Sequence, residues 1–170
     1  MTFLATPKIV VLGCGNIYAG DDAVGIEVLR ELEREGLPAS VTVVEAGAPG
    51  LGMLDHMFGF DKAVIIDAVV GAGEPGRIVR WREDEIPRKM APPVSVHDIS
   101  IRDALEFGRK SVPGMLPSEV VVIGVVVVQM EAWHMGLTPE VAEAVHGAAR
   151  AVRTEIDRWV PPLGARHLTY

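Results

Sequence analysis

Two long apolar runs constrain the fold of this chain more than any other feature. Residues 62–70 read KAVIIDAVV, and residues 119–129 read EVVVIGVVVVQ. Nearly continuous runs of β-branched residues are typical of central parallel strands, which are covered on both faces. One charged residue, Asp67, interrupts the first run near its end. The two runs therefore predict a buried, mostly parallel sheet.

Helical patterns alternate with the strand patterns. Strands are predicted at residues 8–15, 41–47, 62–70, 77–81 and 119–129, and helices after residue 22, from 50 to about 58, at 99–108 and from Pro139 onward. The fourth strand, RIVRW, alternates polar and apolar residues and so predicts an exposed or edge position. Each crossover helix must return over a face of the sheet. The fold class predicted is α/β, a three-layer α/β/α sandwich around a mostly parallel twisted sheet.

Length and composition limit the classes of function. The 170 residues suit one domain, predicted to span residues 1–160 and to be followed by a tail at 161–170. The net charge of -7 disfavours a nucleic-acid partner, because that affinity depends on clustered Lys and Arg. Neither a membrane-spanning segment nor a signal peptide is recognisable, so a cytoplasmic location without membrane association is expected. Cys14 is the sole cysteine, which excludes an internal disulfide and leaves oxygen and nitrogen as metal ligands.

Three features are expected beyond the carboxyl ends of the strands, where open α/β sheets bind ligands. Asp67 would lose its hydration inside an apolar strand unless a cation or hydrogen bonds replaced the water. Asp21 and Asp22 begin a helix, where capping is the ordinary role of a carboxylate, although one can cap while the other points outward. His97 follows a proline-rich loop at residues 87–96 and gains interest only from the nearby acids. One imidazole and two carboxylates suit nickel or zinc.

Several other active-site patterns are missing. GCGNIY has Tyr18 where a dinucleotide-binding GxGxxG motif needs glycine. No Gly-Lys-Ser/Thr sequence and no GxSxG sequence occur, which argues against a P-loop and against a serine hydrolase of the nucleophile-elbow type. Cys14, at a strand end, suits either a nucleophile or a small buried apolar residue, and the second is the commoner outcome.

With these residues identified, the chain resembles the nickel-iron hydrogenase maturation protease family (peptidase family M52). VLGCGNIYAGDDAVGIEVLREL resembles the family signature LGxGNxxxGDDxxG. The resemblance continues through EAGAPG, IIDAVV with GEPG, VSVHDISIRDAL, and VVVIGVVV with GLTPEV, and so covers nearly the whole chain. Two departures are visible: VSVHDIS replaces the commoner Ser-Pro-His form, and the loop VQMEAWHMGLTP is less typical. In that loop Glu131, Trp133 and His134 are expected to bear on substrate choice.

The resemblance implies a function and a site. The family's metal ligands fall on Asp22, Asp67 and His97, which are also the expected catalytic residues. The implied activity is that of a nickel-dependent endopeptidase that removes a C-terminal peptide from the nickel-loaded precursor of a hydrogenase large subunit. Nickel would arrive with the precursor, zinc or cadmium would substitute for it in crystals, and a monomer is the simplest state.

Two alternatives remain open from the sequence. One is a chaperone that binds the immature large subunit without cutting it. The other is a related metallohydrolase acting on a different substrate. For the peptidase itself, nickel either polarises the scissile carbonyl or a bound water, or it positions the peptide while a carboxylate acts as general base.

Overall fold

The computed structural model describes residues 5–88, 99–128 and 133–160 of the chain. Within these ranges five strands form one sheet: β1 (Ile9–Cys14), β2 (Val41–Gly47), β3 (Lys62–Val70), β4 (Ile78–Arg82) and β5 (Glu119–Val127). Their order across the sheet is β2-β1-β3-β5-β4. All neighbouring strands run parallel except β4, which is antiparallel to β5 at the edge. The predicted strands, including the edge position of RIVRW, are confirmed.

The helices follow the predicted positions. They are α1 (Val24–Glu35), α2 (Ile101–Ser111) and α3 (Pro139–Trp159). The helix predicted from residue 50 is a 3-10 helix at Leu51–His56, and further 3-10 helices lie at Gly20–Ala23 and Glu83–Glu85. Proline stands at the first turn of α3, as expected, because its missing N–H would have no helical partner there.

The direction of β4 follows from the length of the connection before it. Only residues 71–77 separate β3 from β4, too few for a helix that crosses over the sheet. A parallel neighbour needs such a crossover, so β4 returns in the opposite direction. The chain then crosses through α2 and inserts β5 between β3 and β4.

Two apolar clusters cover the two faces of the sheet. On one face, α1 and α3 pack over the sheet through residues such as Leu29 and Val152. On the other face, α2 and the Leu51–His56 helix pack over it through Leu105 and Met53. Helices on both faces of one central sheet confirm the three-layer α/β/α sandwich. Cys14 belongs to the cluster on the α2 face.

Several sequence predictions concern the ends of the chain's elements. Ser100 is the N-cap of α2, and its Oγ accepts a hydrogen bond from the Asp103 backbone N–H at 3.2 Å. The other two predicted caps, Ser95 and Asp98, and the predicted tail at residues 161–170 lie outside the described residues. In the described parts of the chain, none of the helices combines the length and the apolar character that crossing a bilayer requires.

Candidate functional site

Strand register places Asp67 beside the end of β1. Gly13 in β1 pairs with Ile66 in β3, so Asp67 follows directly after the last paired position of the two strands. Alternation along β3 puts Asp67 on the same face as Ile65, which belongs with Cys14 to the cluster on the α2 face. The Asp67 carboxylate is half-buried. Asp67 therefore lies beside the end of β1, three residues before the end of β3, and faces the same side as Cys14.

Two glycines bring Asp22 to the same edge. Gly15 has a φ of +133°, and a Cβ added there would lie 1.8 Å from the Asp22 carbonyl oxygen. A Cβ on Gly25 would lie 2.3 Å from the Cys14 carbonyl oxygen and 2.6 Å from that of Ile66. Only glycine allows the backbone to approach this closely. The start of α1 is thus packed directly on the end of β1 and on β3 at Ile66.

The Asp67 and Asp22 carboxylates both influence the protonation of the Cys14 thiol. Burial raises the pKa of the Cys14 thiol well above its usual range, and the charges of Asp67 and then Asp22 raise it further. Burial also raises the pKa of Asp22, against a hydrogen bond from the Asn16 backbone N–H that lowers it. Cys14 itself is fully buried. The thiol therefore stays protonated at neutral pH, which fits the small apolar residue and not the nucleophile.

Asp21 does not cap its own helix. The N-caps of the Gly20–Ala23 helix and of α1 are Ala19 and Ala23, and neither makes a side-chain capping bond. The expected capping role of the doublet is therefore wrong, because both acids lie inside the 3-10 helix. The Asp21 carboxylate instead accepts hydrogen bonds from Thr138, from its backbone N–H at 2.7 Å and its hydroxyl at 2.9 Å. Asp21 is only 5% exposed.

The third expected ligand, His97, lies outside the described residues, as does Glu131. Of the predicted site, the structure thus brings together Asp22 and Asp67. Ile99, two residues after His97 in the sequence, packs against the apolar cluster on the α2 face. That is the face to which Asp67 belongs.

The segment at residues 133–138 borders the Asp-containing turn. His134 forms a parallel bridge with Ala19, and its carbonyl oxygen accepts the Gly20 N–H at 2.7 Å. Trp133 is 93% exposed and, with a φ of +65°, has a left-handed backbone that side chains other than glycine rarely adopt. A cavity of about 390 Å³ lies here, and its described lining residues include Asp21, His134 and Thr138 but neither Asp22 nor Asp67.

A second group of metal-binding residue types lies on the outer surface. Glu31, Glu35 and His146 bring ligand atoms within 4.8 Å of one another where α1 meets α3. Each carboxylate also forms an ion pair with an arginine: Glu31 pairs with Arg34, and Glu35 pairs with Arg153 at 2.6 Å. Neighbouring guanidinium groups repel a cation, so this cluster is an ion-pair network between the two helices.

Comparison with known proteins gives the same family that the motifs suggest. The family model for hydrogenase maturation protease matches residues 26–155, a range that includes Asp67 and His97 and begins after Asp22. Hydrogenase 2 maturation protease of Escherichia coli K12 is 33% identical over 147 residues, covering 85% of this chain and 88% of that protein. A putative hydrogenase maturation protease of Methanocaldococcus jannaschii is 34% identical over 158 residues, covering 88% and 97%.

Solved structures agree with these relatives. The hydrogenase maturating endopeptidase HybD from Escherichia coli superposes with a TM-score of 0.75 at 30% identity, covering 89% of this chain and 93% of that one. The maturation protease HybD from Thermococcus kodakarensis gives a TM-score of 0.69 at 26% identity, with coverage of 88% and 99%. From its motifs, its fold and these relatives, the chain belongs to the hydrogenase maturation protease family, whose members are peptidases.

Proposed function

We propose that this peptidase removes a C-terminal peptide from the nickel-loaded precursor of a nickel-iron hydrogenase large subunit, and that Asp22, Asp67 and His97 bind the nickel. The observation that carries the proposal is the close packing of Gly25, three residues after Asp22, on the carbonyl oxygens of Cys14 and of Ile66, the residue before Asp67. Ligand sites of open α/β sheets lie beyond the carboxyl ends of the strands.

The chemistry of the three side chains supports nickel. Two carboxylates and one imidazole form a mixed oxygen and nitrogen ligand set, which suits a borderline divalent cation and leaves coordination positions open. In the precursor the nickel is already held by cysteine thiolates. The protease then completes the coordination, so nickel marks a precursor that is ready for cleavage. Zinc or cadmium would fit the same ligands in a crystal.

The negative potential near Cys14 is consistent with this role. Two carboxylates beside a buried thiol favour the arrival of a cation, because a positive charge would relieve their mutual repulsion. A metal delivered by the precursor would provide that positive charge.

Two mechanisms of bond cleavage are compatible with the site. In one, nickel acts as a Lewis acid that polarises the scissile carbonyl or a bound water. In the other, nickel positions the peptide while a carboxylate of Asp22 or Asp67 acts as general base. In both, the acids and His97 are catalytic as well as metal-binding residues.

Recognition of the precursor is assigned to the neighbouring loop. Trp133 offers a nearly fully exposed indole, and Met135 and Val128 are further exposed apolar residues close to it in the sequence. A contiguous patch of exposed apolar side chains marks a protein-binding surface, and these three residues are proposed to form one. Glu131 and His134 complete the set proposed to influence substrate choice. We propose a cytoplasmic monomer, whose open edge admits the tail of the partner.

The experiment that tests the function is a gel assay with purified precursor, loaded with nickel or left without it. A small amount of the protease should shorten a large excess of nickel-loaded precursor and leave the nickel-free precursor intact. A complex that forms without any shortening would identify a chaperone instead. Cleavage of unrelated peptides at the same rate would identify a general metallohydrolase.

A further inference from the structure

Asp21 is a buried carboxylate that has no place among the proposed metal ligands. Both of its oxygens are used by one residue, Thr138, which is 117 positions away in the sequence. Thr138 is the N-cap of α3, yet its side chain makes no capping bond to its own helix. Its hydroxyl donates to Asp21 instead. The pair is therefore a tertiary link between the Gly20–Ala23 turn and the start of α3.

A second link lies at the other end of the same segment. The Gly20 N–H donates to the His134 carbonyl oxygen at 2.7 Å, and Ala19 pairs with His134. We call residues 133–138 the arm. The arm is thus attached to the turn at both of its ends, through His134 and through Thr138. Asp22 lies in that same turn, one residue after Asp21.

We propose that Asp21 is a positioning residue that holds the arm, whose first residue is Trp133, in a set orientation to the metal ligand Asp22. The proposal rests on the proposed function, since the arm is taken to contact the precursor polypeptide. A side chain of the precursor packs on the Trp133 indole while its nickel reaches Asp22. Asp21 contributes by keeping these two contact points at a constant separation.

A double-mutant cycle separates this role from simple stabilisation of α3. Precursor affinity and kcat are measured for wild type, Asp21→Ala, Trp133→Ala and the double variant. Trp133→Ala should weaken precursor binding about fivefold or more in the wild-type background, the loss typical of an anchor residue. In the Asp21→Ala background the further loss should fall below about twofold, because the indole is no longer held in place.

A control cycle uses Val152→Ala, a fully buried position of α3 in the apolar cluster away from the arm. It removes stability without touching the link, so Trp133→Ala should cost the same affinity with and without it. Thr138→Val, which loses only the hydroxyl donor, provides a milder second variant should Asp21→Ala fold poorly. Asp21→Asn keeps one acceptor oxygen and should fall between Asp21→Ala and wild type.

Amide hydrogen exchange tests the link without any precursor. Asp21→Ala should speed exchange of the Gly20 amide about tenfold or more relative to that of Ile65 in the sheet, because the arm opens locally. Unchanged relative exchange at Gly20, equal losses from Trp133→Ala in both backgrounds, or no effect of Trp133→Ala in wild type would each overturn the proposal. Failure of the wild type to cleave would instead refute the proposed function, and the binding cycle would still decide the role of Asp21.

Discussion

The thiol of Cys14 at the end of β1 lies within the electrostatic influence of the carboxylate of Asp67 in the neighbouring strand β3. Burial and this negative charge both raise the pKa of the thiol, so it carries its proton at neutral and mildly alkaline pH. The sole cysteine of the chain is therefore a poor nucleophile.

Cys14→Ala should accordingly keep most of the processing activity. Its cost should be limited to stability, about 1 kcal/mol for a small buried side chain. Alkylation by iodoacetamide at pH 8 should be slow in the folded protein and fast after denaturation. Rapid labelling of the folded chain, or loss of cleavage in a well-folded Cys14→Ala variant, would indicate that the thiol takes part in catalysis.

Loss of a proposed ligand should abolish processing and leave the fold intact. Asp22→Asn, Asp67→Asn and His97→Ala should each lower the cleavage rate by at least about 100-fold, since even outer-shell partners of metal ligands cost 10–100-fold. Asp55→Asn, at an exposed acid of the Leu51–His56 helix, serves as the control. Circular dichroism should be the same for all four variants. Normal trimming by any of the three ligand variants would remove that residue from the site.

The protease alone should bind nickel weakly. Three ligands from separate segments give modest affinity, and the thiolates that complete the coordination belong to the precursor. Elemental analysis of the purified protein should find it largely metal-free, and calorimetric titration should show tight binding only when precursor is present. Stoichiometric nickel that resists dialysis in the isolated protein would contradict the shared-site model.

Gly15→Ala should damage the site more than glycine substitution elsewhere. Its Cβ would overlap the Asp22 carbonyl oxygen, in addition to the strain of a positive φ. At Gly36, φ is +82° and an added Cβ meets nothing within 4 Å. Gly36→Ala therefore measures the backbone strain alone, which should lower the free energy of unfolding by about 1–2 kcal/mol. Urea denaturation and the precursor assay should show a larger loss of stability for Gly15→Ala, together with loss of cleavage. Equal stability of the two variants would mean that the backbone near Asp22 shifts to accommodate the added Cβ at little cost in free energy.

Acid sensitivity should trace in part to Glu155, which is 4% exposed. Its burial raises the pKa, but hydrogen bonds from Arg80 and Arg158 outweigh this and lower the pKa below its ordinary value. A carboxyl with a lowered folded-state pKa stabilises the protein above its unfolded-state pKa, about 4.3 for glutamate. That stability is lost as pH falls through the folded-state value.

Glu155→Gln should therefore flatten the fall in Tm between about pH 5 and pH 3 and lower Tm at pH 7. Glu155 lies near the end of α3 opposite Thr138, so precursor affinity should not change. Parallel Tm curves for wild type and Glu155→Gln across this range would show that the arginine pair contributes nothing to acid sensitivity.

The local elements of this protein are determined by short-range sequence. The β-branched residues of β2 and β3 end at glycine or turn residues, and the predicted bounds of both strands match the structure. Pro139 marks the first turn of α3 because its ring suits that position. Asp67 was identifiable as unusual because a charge inside an apolar strand needs a compensating partner. These are properties of a residue and its immediate neighbours.

Tertiary structure decided what those residues contact. The placement of β5 between β3 and β4 depends on which strands pair, which no local pattern encodes. The position of Asp21 at the start of a helical pattern predicts a helix cap, but its carboxylate accepts hydrogen bonds from Thr138, 117 residues away. A buried carboxylate needs hydrogen-bond donors, and here the fold supplies them from Thr138 in place of a local capping bond. The sequence alone therefore determines the strands, the helices and the presence of acids at the sheet's edge, while only the folded chain shows that Asp21 binds Thr138 and that Asp22 accepts a hydrogen bond from the Asn16 backbone.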